Sequence, residues 1–243
     1  MRASEDRETW GILGGMGPLA SAEFMRTIYE ESLAETEQES PLVVMLSDPA
    51  IPDRTECLLS GREDILMEHF QAAMGRLINF GVTRVVVPCL TIHPLIPRLP
   101  ESWQRKIVSL VDVTLTGVLE SNCRHLLLCT NGARNMGLFD RHELREAARD
   151  KILQVSEDDQ EQVHRMIYEI KSRDNAASHI PFVEGLLARY GVTSYIAGCT
   201  ELHIFVKEHQ RATKRNRREF CIDPLTLVCS QISKTRIVTA ATA

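Results

Sequence analysis

The sequence lacks any hydrophobic run long enough to cross a bilayer. Apolar runs such as Val85–Val87 and Leu126–Leu128 are far shorter than the roughly 20 residues that a transmembrane helix needs. The polar segment Met1–Trp10 also lacks the apolar stretch and the small-residue cleavage site of a secretory signal. We therefore expect a cytoplasmic, soluble protein that has no membrane partner.

An excess of basic charge is also missing. The 243 residues carry a formal net charge of −5, and the pI is about 5.9. Binding to nucleic acid or to an anionic membrane surface normally needs a basic patch or a basic balance. We therefore expect the protein to bind small molecules and not nucleic acid. The macromolecular partner that we expect is a second copy of the chain.

A disulfide framework is not expected either. The seven cysteines are an odd number without secretory context, which favours free thiols in a reducing compartment. They are Cys57, Cys89, Cys123, Cys129, Cys199, Cys221 and Cys229. Some of these thiols are therefore candidates for chemistry.

Short apolar strands alternate with helical segments along the whole chain. A strand from Trp10 breaks into a glycine turn, and helical spacing of apolar residues follows. The pattern also predicts helices over 63–80, 140–149 and 157–171 and a strand over 107–110. Such alternation is typical of an α/β fold with parallel sheets, in which ligands bind at the carboxyl ends of the strands.

One segment of the chain recurs after 110 residues. Phe80–His93 and Tyr190–His203 share an aromatic residue, Gly-Val-Thr, an apolar strand, a cysteine and a later histidine. We interpret this as two similar Rossmann-like half-domains, the first formed by residues 1–114 with 220–243 and the second by 115–219. Cys89 and Cys199 would then lie on opposite walls of the cleft between them.

Two thiols across a cleft suit the inversion of a carbon that bears a hydrogen. One group removes the proton from one face while the other returns a proton to the opposite face, and a thiol can do both because its usual pKa of about 8.5 is near neutral. Two alternatives stay open. Both cysteines could be buried small hydrophobic residues, or Cys89, His93, Cys199 and His203 could bind zinc, although their spacing is not a usual zinc pattern.

The glycine turn Gly14-Gly15-Met16-Gly17 has two interpretations. A strand followed by glycines and a helix also begins a dinucleotide-binding fold, but the spacing departs from G-x-G-x-x-G. Amides at the start of a helix bind other anions as well. We therefore favour an anion site for a substrate carboxylate.

Five segments in this order resemble the aspartate/glutamate racemase family, and its aspartate racemase branch in particular. They are Gly11–Leu19, Asp48–Thr55, Pro88–His93, Gly198–Leu202 and Ile222–Pro224. The resemblance implies two half-domains related by a pseudo-twofold axis, an active site between them, no cofactor, no metal and a homodimer. It implies an isomerase that acts on an acidic amino acid, with Cys89 and Cys199 as the catalytic acid/base pair.

The resemblance also implies a set of substrate-binding residues, with Arg54 as the partner of the side-chain carboxylate because guanidinium binds carboxylates bidentately. The set comprises Met16, Gly17, Arg54, Thr91, Thr130, Asn131, Lys171, Thr200 and Glu201. Glu201 has the alternative role of a first-turn acid that complements a helix dipole. The family lysine corresponds to Lys171 only if the register shifts by one residue.

This chain departs from the family pattern beside the first cysteine. Where relatives commonly have Cys-Asn-Thr, this sequence has Cys89-Leu90-Thr91, so an amide that helps to hold the substrate is missing. The exact substrate, aspartate or glutamate, is therefore left open. The competing functions are a related isomerase or decarboxylase of a dicarboxylic acid and a non-catalytic protein that binds an amino acid.

Overall fold

The computed structural model describes residues 8–33, 36–172 and 175–240, with side chains as far as residue 233. The sequence-based domain limits at residues 1 and 243, like residues 34–35 and 173–174 within the two domains, lie outside this part. Within it, no helix is both long and apolar enough to span a membrane.

Two parallel sheets form the framework, as the alternation of strands and helices predicts. The first has the order β2-β1-β3 and the second the order β5-β4-β6-β7. The strands are β1 Thr9–Gly14, β2 Leu42–Ser47, β3 Arg84–Val86, β4 His125–Leu128, β5 Ile152–Leu153, β6 Ser194–Ala197 and β7 Cys221–Ile222. In each sheet the first strand along the chain lies between the second and the third, so the internal repeat extends to topology. The mixed α/β fold class is thereby confirmed.

Helices connect the strands, and the longer ones bury one apolar side against the sheets. They are α1 Pro18–Glu31, α2 Arg54–Leu59, α3 Glu63–Ile78, α4 Glu101–Gln104, α5 Leu110–Glu120, α6 Asn131–Asn135, α7 Arg145–Ala148, α8 Glu157–Ser172, α9 Ile180–Tyr190, α10 Leu202–Thr213, α11 Arg217–Phe220 and α12 Pro224–Ala240. A 3-10 helix over Leu90–Arg98 follows β3. In both sheets, a turn and then a helix follow the strand ends. These turns place polar residues at the edge where the carboxyl ends of the parallel strands lie.

Two predicted elements are wrong in type or extent. The segment 107–110 forms only a single bridge from Ile107 to Val85, because the Ser109 hydroxyl accepts a hydrogen bond from Asp112 N and starts α5. The helix predicted over 140–149 is reduced to α7, which has four residues. Local hydrogen bonding decides both cases against the apolar pattern.

The last strand and the last helix attach to different parts of the fold. β7 pairs with β6 in the second sheet, whereas the sequence-based division assigned residues 220–243 to the first domain. α12, which follows directly, packs against α1 and α5. A strand of two residues is too short to reveal its sheet by alternation, so its membership follows from tertiary pairing alone.

One hydrophobic core cluster joins the two halves. It contains Ile12 and Val86 of the first sheet together with Leu127 and Ile196 of the second, all at most 3% exposed. Further clusters lie within each half. The halves therefore meet through a continuous apolar contact, and the polar cavity between them lies at the carboxyl ends of the strands.

Candidate active site

One cavity between the two halves collects residues from the loops after the strands and from one side of α8. It is lined by Met16, Asp53, Arg54, Thr55, Cys89, Leu90, Thr91, Thr130, Ile167, Tyr168, Lys171, Cys199, Thr200 and Glu201. This is the edge where parallel sheets bind ligands, and both halves contribute.

The two thiols reach this cavity from equivalent positions. Cys89 follows β3 and Cys199 follows β6, the third strand of each sheet along the chain. Both side chains line the cavity although they are largely buried, at 5% and 9% exposure. The Thr200 hydroxyl donates to the carbonyl of Pro88 at 2.9 Å, so each thiol-bearing loop is held against the other.

Glu201 sets the protonation state of Cys199. The Cys199 thiol donates to Glu201 Oε2 at 2.8 Å, and both side chains are buried. Burial raises the pKa of Cys199 well above its usual value, and the negative charge of Glu201 raises it further. Cys199 therefore holds its proton in this state and is ready to act as an acid.

Replacement of this carboxylate should make Cys199 easier to ionise. In Glu201→Gln the negative charge that disfavours the thiolate is gone, so we expect the pKa of Cys199 to fall and its alkylation to begin at lower pH. The measurement is iodoacetamide labelling across a pH series, with the Cys199 peptide quantified by mass spectrometry. The exposed Cys123 is the internal reference, and an unchanged Cys199 profile beside an unchanged Cys123 profile would contradict the role of Glu201.

Arg54 is the buried cation of the cavity. It is the first residue of α2, whose start is capped by Asp53 through a hydrogen bond from Glu56 N at 2.9 Å. Nη1 donates to Pro52 O at 3.2 Å and Nη2 to Met16 O at 3.0 Å. Nε is buried and has no acceptor among the described residues, so its N–H is left for a ligand.

Nearby charges keep Arg54 in its cationic form. Burial by itself lowers the pKa of Arg54, but Cys89, Asp53 and Glu201 together raise it above its usual value. A buried cation with an unsatisfied donor is costly unless an acceptor completes it. A carboxylate in the cavity would supply that acceptor.

Lys171 and Tyr168 face the first half from one side of α8. The Lys171 ammonium lies 3.2 Å from Asp53 Oδ2, and the Tyr168 hydroxyl lies 3.4 Å from the same oxygen. The ammonium also lies 4.9 Å from the centre of the Tyr168 ring. The structure thus brings Lys171 to the cavity wall, with Asp53 as its partner across the cleft.

The glycine turn packs against protein atoms on both sides. Gly15 and Gly17 have φ values of 95° and 125°, a region that favours glycine. A Cβ at Gly15 would overlap the backbone of Asp48, and one at Gly17 would overlap Glu201. The turn therefore brings Glu201 of the second half close to the start of α1.

Two members of the expected substrate-binding set have other contacts. Gly17 contacts Glu201 and does not appear in the cavity wall. The side-chain amide of Asn131 donates to Glu161 Oε1 at 2.8 Å, and its oxygen accepts from Gln160 at 3.0 Å. Thr130, beside it, does line the cavity and caps α6 by accepting from Ala133 N at 3.2 Å. The side chain of Asn131 is therefore hydrogen-bonded to α8, through Gln160 and Glu161.

The histidines after the cysteines do not join the thiols as metal ligands. His93 is buried, its Nε2 lies 3.3 Å from Val87 O, and burial lowers its pKa to about 4. His203 lies between Asp223 and Thr27. Across 8–33, 36–172 and 175–240, no group of three or more His, Cys, Asp and Glu side chains could hold a metal ion.

Sequence reasoning missed several residues of the cavity wall. They are Asp53, Thr55, Ile167 and Tyr168. Tyr168 precedes Lys171 by three residues on α8, and this spacing places both side chains on the same face of the helix. Asp53 and Thr55 flank Arg54, and their approach to α8 and α6 is a tertiary contact without a sequence signal.

Two parallel-sheet halves that share one cavity define the class of α/β protein to which this chain belongs. The chain belongs to the Asp/Glu/Hydantoin racemase family, whose model matches residues 13–232. This bears out the resemblance to the aspartate/glutamate racemases and identifies an isomerase of the amino-acid racemase kind.

Solved structures support the fold. An aspartate racemase from Picrophilus torridus superposes with a TM-score of 0.79 at 21% identity, covering 94% of each chain. An aspartate racemase homologue from Pyrococcus horikoshii gives 0.65 at 17% identity, covering 95% of this chain and 99% of that one. Glutamate racemase from Aquifex pyrophilus gives 0.58 at 15% identity, covering 93% and 83%. At these identities the likeness concerns the fold alone.

Proposed function

We propose that the protein is a cofactor-independent racemase that interconverts L- and D-aspartate, or a closely related acidic amino acid. The observation that carries the proposal is the entry of two thiols, from equivalent strand ends of two similar sheets, into one cavity. Racemisation needs an acid and a base on opposite faces of the α-carbon, and two half-domains that face each other offer such a pair.

One thiol takes a proton from the substrate while the other thiol gives its own proton to the substrate. Because Glu201 and burial keep Cys199 protonated, Cys89 as thiolate removes the α-proton from one enantiomer while the Cys199 thiol protonates the opposite face. The products are the other enantiomer, a neutral Cys89 and a Cys199 thiolate. In the reverse direction the two residues exchange roles.

The substrate is held by charge. The free Nε of Arg54 and the ammonium of Lys171 are donors for carboxylates, and the Glu201 carboxylate is an acceptor for an ammonium. If an incoming carboxylate replaces Asp53 at Lys171, the cavity holds two carboxylate groups and favours a dicarboxylic amino acid. Leu90 contributes an apolar wall beside Cys89 and adds no hydrogen bond.

The carbanion that forms on proton removal has to be stabilised by preorganised donors. Thr91 and Thr200 line the cavity beside the two thiols, and because the Thr200 hydroxyl already donates its proton to Pro88 O, Thr91 is the hydroxyl donor that we propose for this role. Donors of this kind are most effective where water is excluded, because the local dielectric is low. The two thiols are largely buried, at 5% and 9% exposure, which supports such exclusion around a bound amino acid.

The test is α-proton exchange in D2O, followed by NMR under reducing conditions without added cofactor. We expect deuterium incorporation and inversion of L- and D-aspartate, with L- and D-glutamate as the comparison. Chiral chromatography of the same samples separates inversion from simple exchange. If neither amino acid exchanges while aspartate still raises the Tm, the chain is a binding protein and the proposal fails.

A further inference from the structure

We propose that His203 is a positioning residue for the Cys199–Glu201 loop, through a buried contact that ties the start of α10 to α1. The inference rests on the proposed function and adds a residue outside the cavity wall. His203 lies two residues beyond Glu201 in the first turn of α10. It does not line the cavity, so it acts on the reaction through other residues.

Both ring nitrogens of His203 are engaged, and the side chain is 0% exposed. Nδ1 lies 2.6 Å from Asp223 Oδ2, and Nε2 lies 2.9 Å from Thr27 Oγ1. An ionised carboxylate only accepts, so Nδ1 carries a proton. The Thr27 hydroxyl has one proton, for which Nε2 and the Glu23 carbonyl at 2.8 Å are alternative acceptors, and it can instead accept a hydrogen bond from a protonated Nε2.

The partners of His203 are themselves fixed. Asp223 Oδ1 accepts from Leu225 N at 3.1 Å, and Oδ2 accepts from the Thr226 hydroxyl at 2.6 Å, which anchors Asp223 at the start of α12. Lys207 donates to Thr27 Oγ1 at 3.1 Å. The network therefore joins α1, α10 and α12 through side chains that are almost entirely buried.

The charges around His203 are balanced by several groups. Asp223, the residue before α12, faces His203. Lys207, which lies on α10 like His203, is ion-paired with Glu23 and Glu30 of α1. The Phe24 ring meets the His203 ring edge-on, with the centroids 6.4 Å apart. Lys207 is only 7% exposed, so this part of α10 is locked to α1 by charge and packing together.

Helices α1 and α10 are thus held together at two levels. At the cavity, Gly17 immediately before α1 contacts the Glu201 carboxylate, which also accepts from Cys199. Behind it, Thr27 and His203 connect the same two helices. If the rear contact is lost, the first turn of α10 can shift against α1, and Glu201 and Cys199 shift with it. Misplacement of reacting groups by about 1 Å can lower a rate about 100-fold.

Two substitutions separate the two bonds of His203. His203→Asn keeps a donor toward Asp223 but cannot reach Thr27, whereas His203→Gln places an amide near the position of Nε2. Thr27→Val removes the hydroxyl from the other side. The matched control is His209→Asn, because His209 on the same helix is also 0% exposed and also bound to a carboxylate, Glu184 Oε1 at 2.6 Å, whereas its hydrogen bonds to described residues go to Glu184 and Tyr195 and not to α1.

We expect His203→Asn and Thr27→Val to lower kcat for aspartate racemisation by about 10- to 100-fold with little change in KM. His203→Gln should recover part of the loss, and His209→Asn should retain kcat. Amide hydrogen exchange at residues 199–203 should rise in the first two variants and not in the control, at matched distance from the Tm. Equal losses in His203→Asn and His209→Asn, or a loss that only follows the Tm, would overturn the inference.

The exchange measurement also separates this inference from the proposed function. If the wild-type protein racemises no acidic amino acid, the function fails, but faster exchange at 199–203 in His203→Asn alone still supports the positioning role. If racemisation is present and exchange and kcat are unchanged in His203→Asn, the function stands and the role of His203 is rejected.

Discussion

Serine at either Cys89 or Cys199 is expected to lower kcat for racemisation by about 10²- to 10⁴-fold, the range that a positioned acid or base contributes. A hydroxyl is somewhat smaller than a thiol and is a far weaker acid, so it neither becomes the base nor returns a proton readily. Because the proposed mechanism uses both residues in every turnover, each single substitution should lower the rate of inversion to a similar extent. The measurement is the rate of inversion by chiral chromatography with each enantiomer of aspartate.

Cys129 offers a control that shares the chemistry but not the position. It follows β4, is 1% exposed, and has a pKa raised to about 12 by burial, yet it does not line the cavity. Cys129→Ser should therefore retain the wild-type kcat once its fold is verified by circular dichroism. Normal inversion in Cys89→Ser or Cys199→Ser would refute the two-thiol mechanism.

Loss of the Arg54 guanidinium should have the second large effect, and it should appear in kcat/KM. Truncating one partner of a buried charged contact costs about 2–4 kcal/mol, or about 30- to 1,000-fold. We expect Arg54→Met to show this loss because the substrate carboxylate then has no donor at Nε. Arg54→Lys should recover only part of it, since an ammonium is a point charge without a planar fork.

The control for Arg54→Met is a second arginine, Arg62, which lies three residues after the end of α2. Arg62 is half-exposed and pairs with Glu56 on the surface, so Arg62→Met should leave kcat/KM unchanged. The Tm of each variant is measured without ligand, because Arg54 also bonds to Met16 O and Pro52 O. A kcat/KM near that of wild type in a folded Arg54→Met would show that Arg54 does not bind the substrate.

Much of the fold could be predicted from periodicity. The glycine turn after β1, the alternation of strands with helices and the repeat around the two cysteines are local patterns, and they survive in the structure because packing agrees with them. The exceptions are short. β5 and β7 have two residues each, too few for a pattern, so their place depends on strands that are distant in sequence.

The cavity was predictable in part from the loops that follow the strands. Cys89, Thr130 and Cys199 lie there, and all three line the cavity. Asn131 follows Thr130 as the first residue of α6, and its side-chain amide is hydrogen-bonded to Gln160 and Glu161. Which neighbour captures an amide depends on how α8 packs, and the sequence contains no trace of it.

The bond from Thr200 to Pro88 has a bearing on how this scaffold could diversify. It fastens the loop of one thiol to the loop of the other, so the spacing of the two thiols is set independently of the other parts of the cavity wall. Under the proposed mechanism, selectivity then lies in separate walls, such as Leu90 and Ile167. Substitutions in these walls would accordingly change the substrate preference while the two thiols keep their spacing.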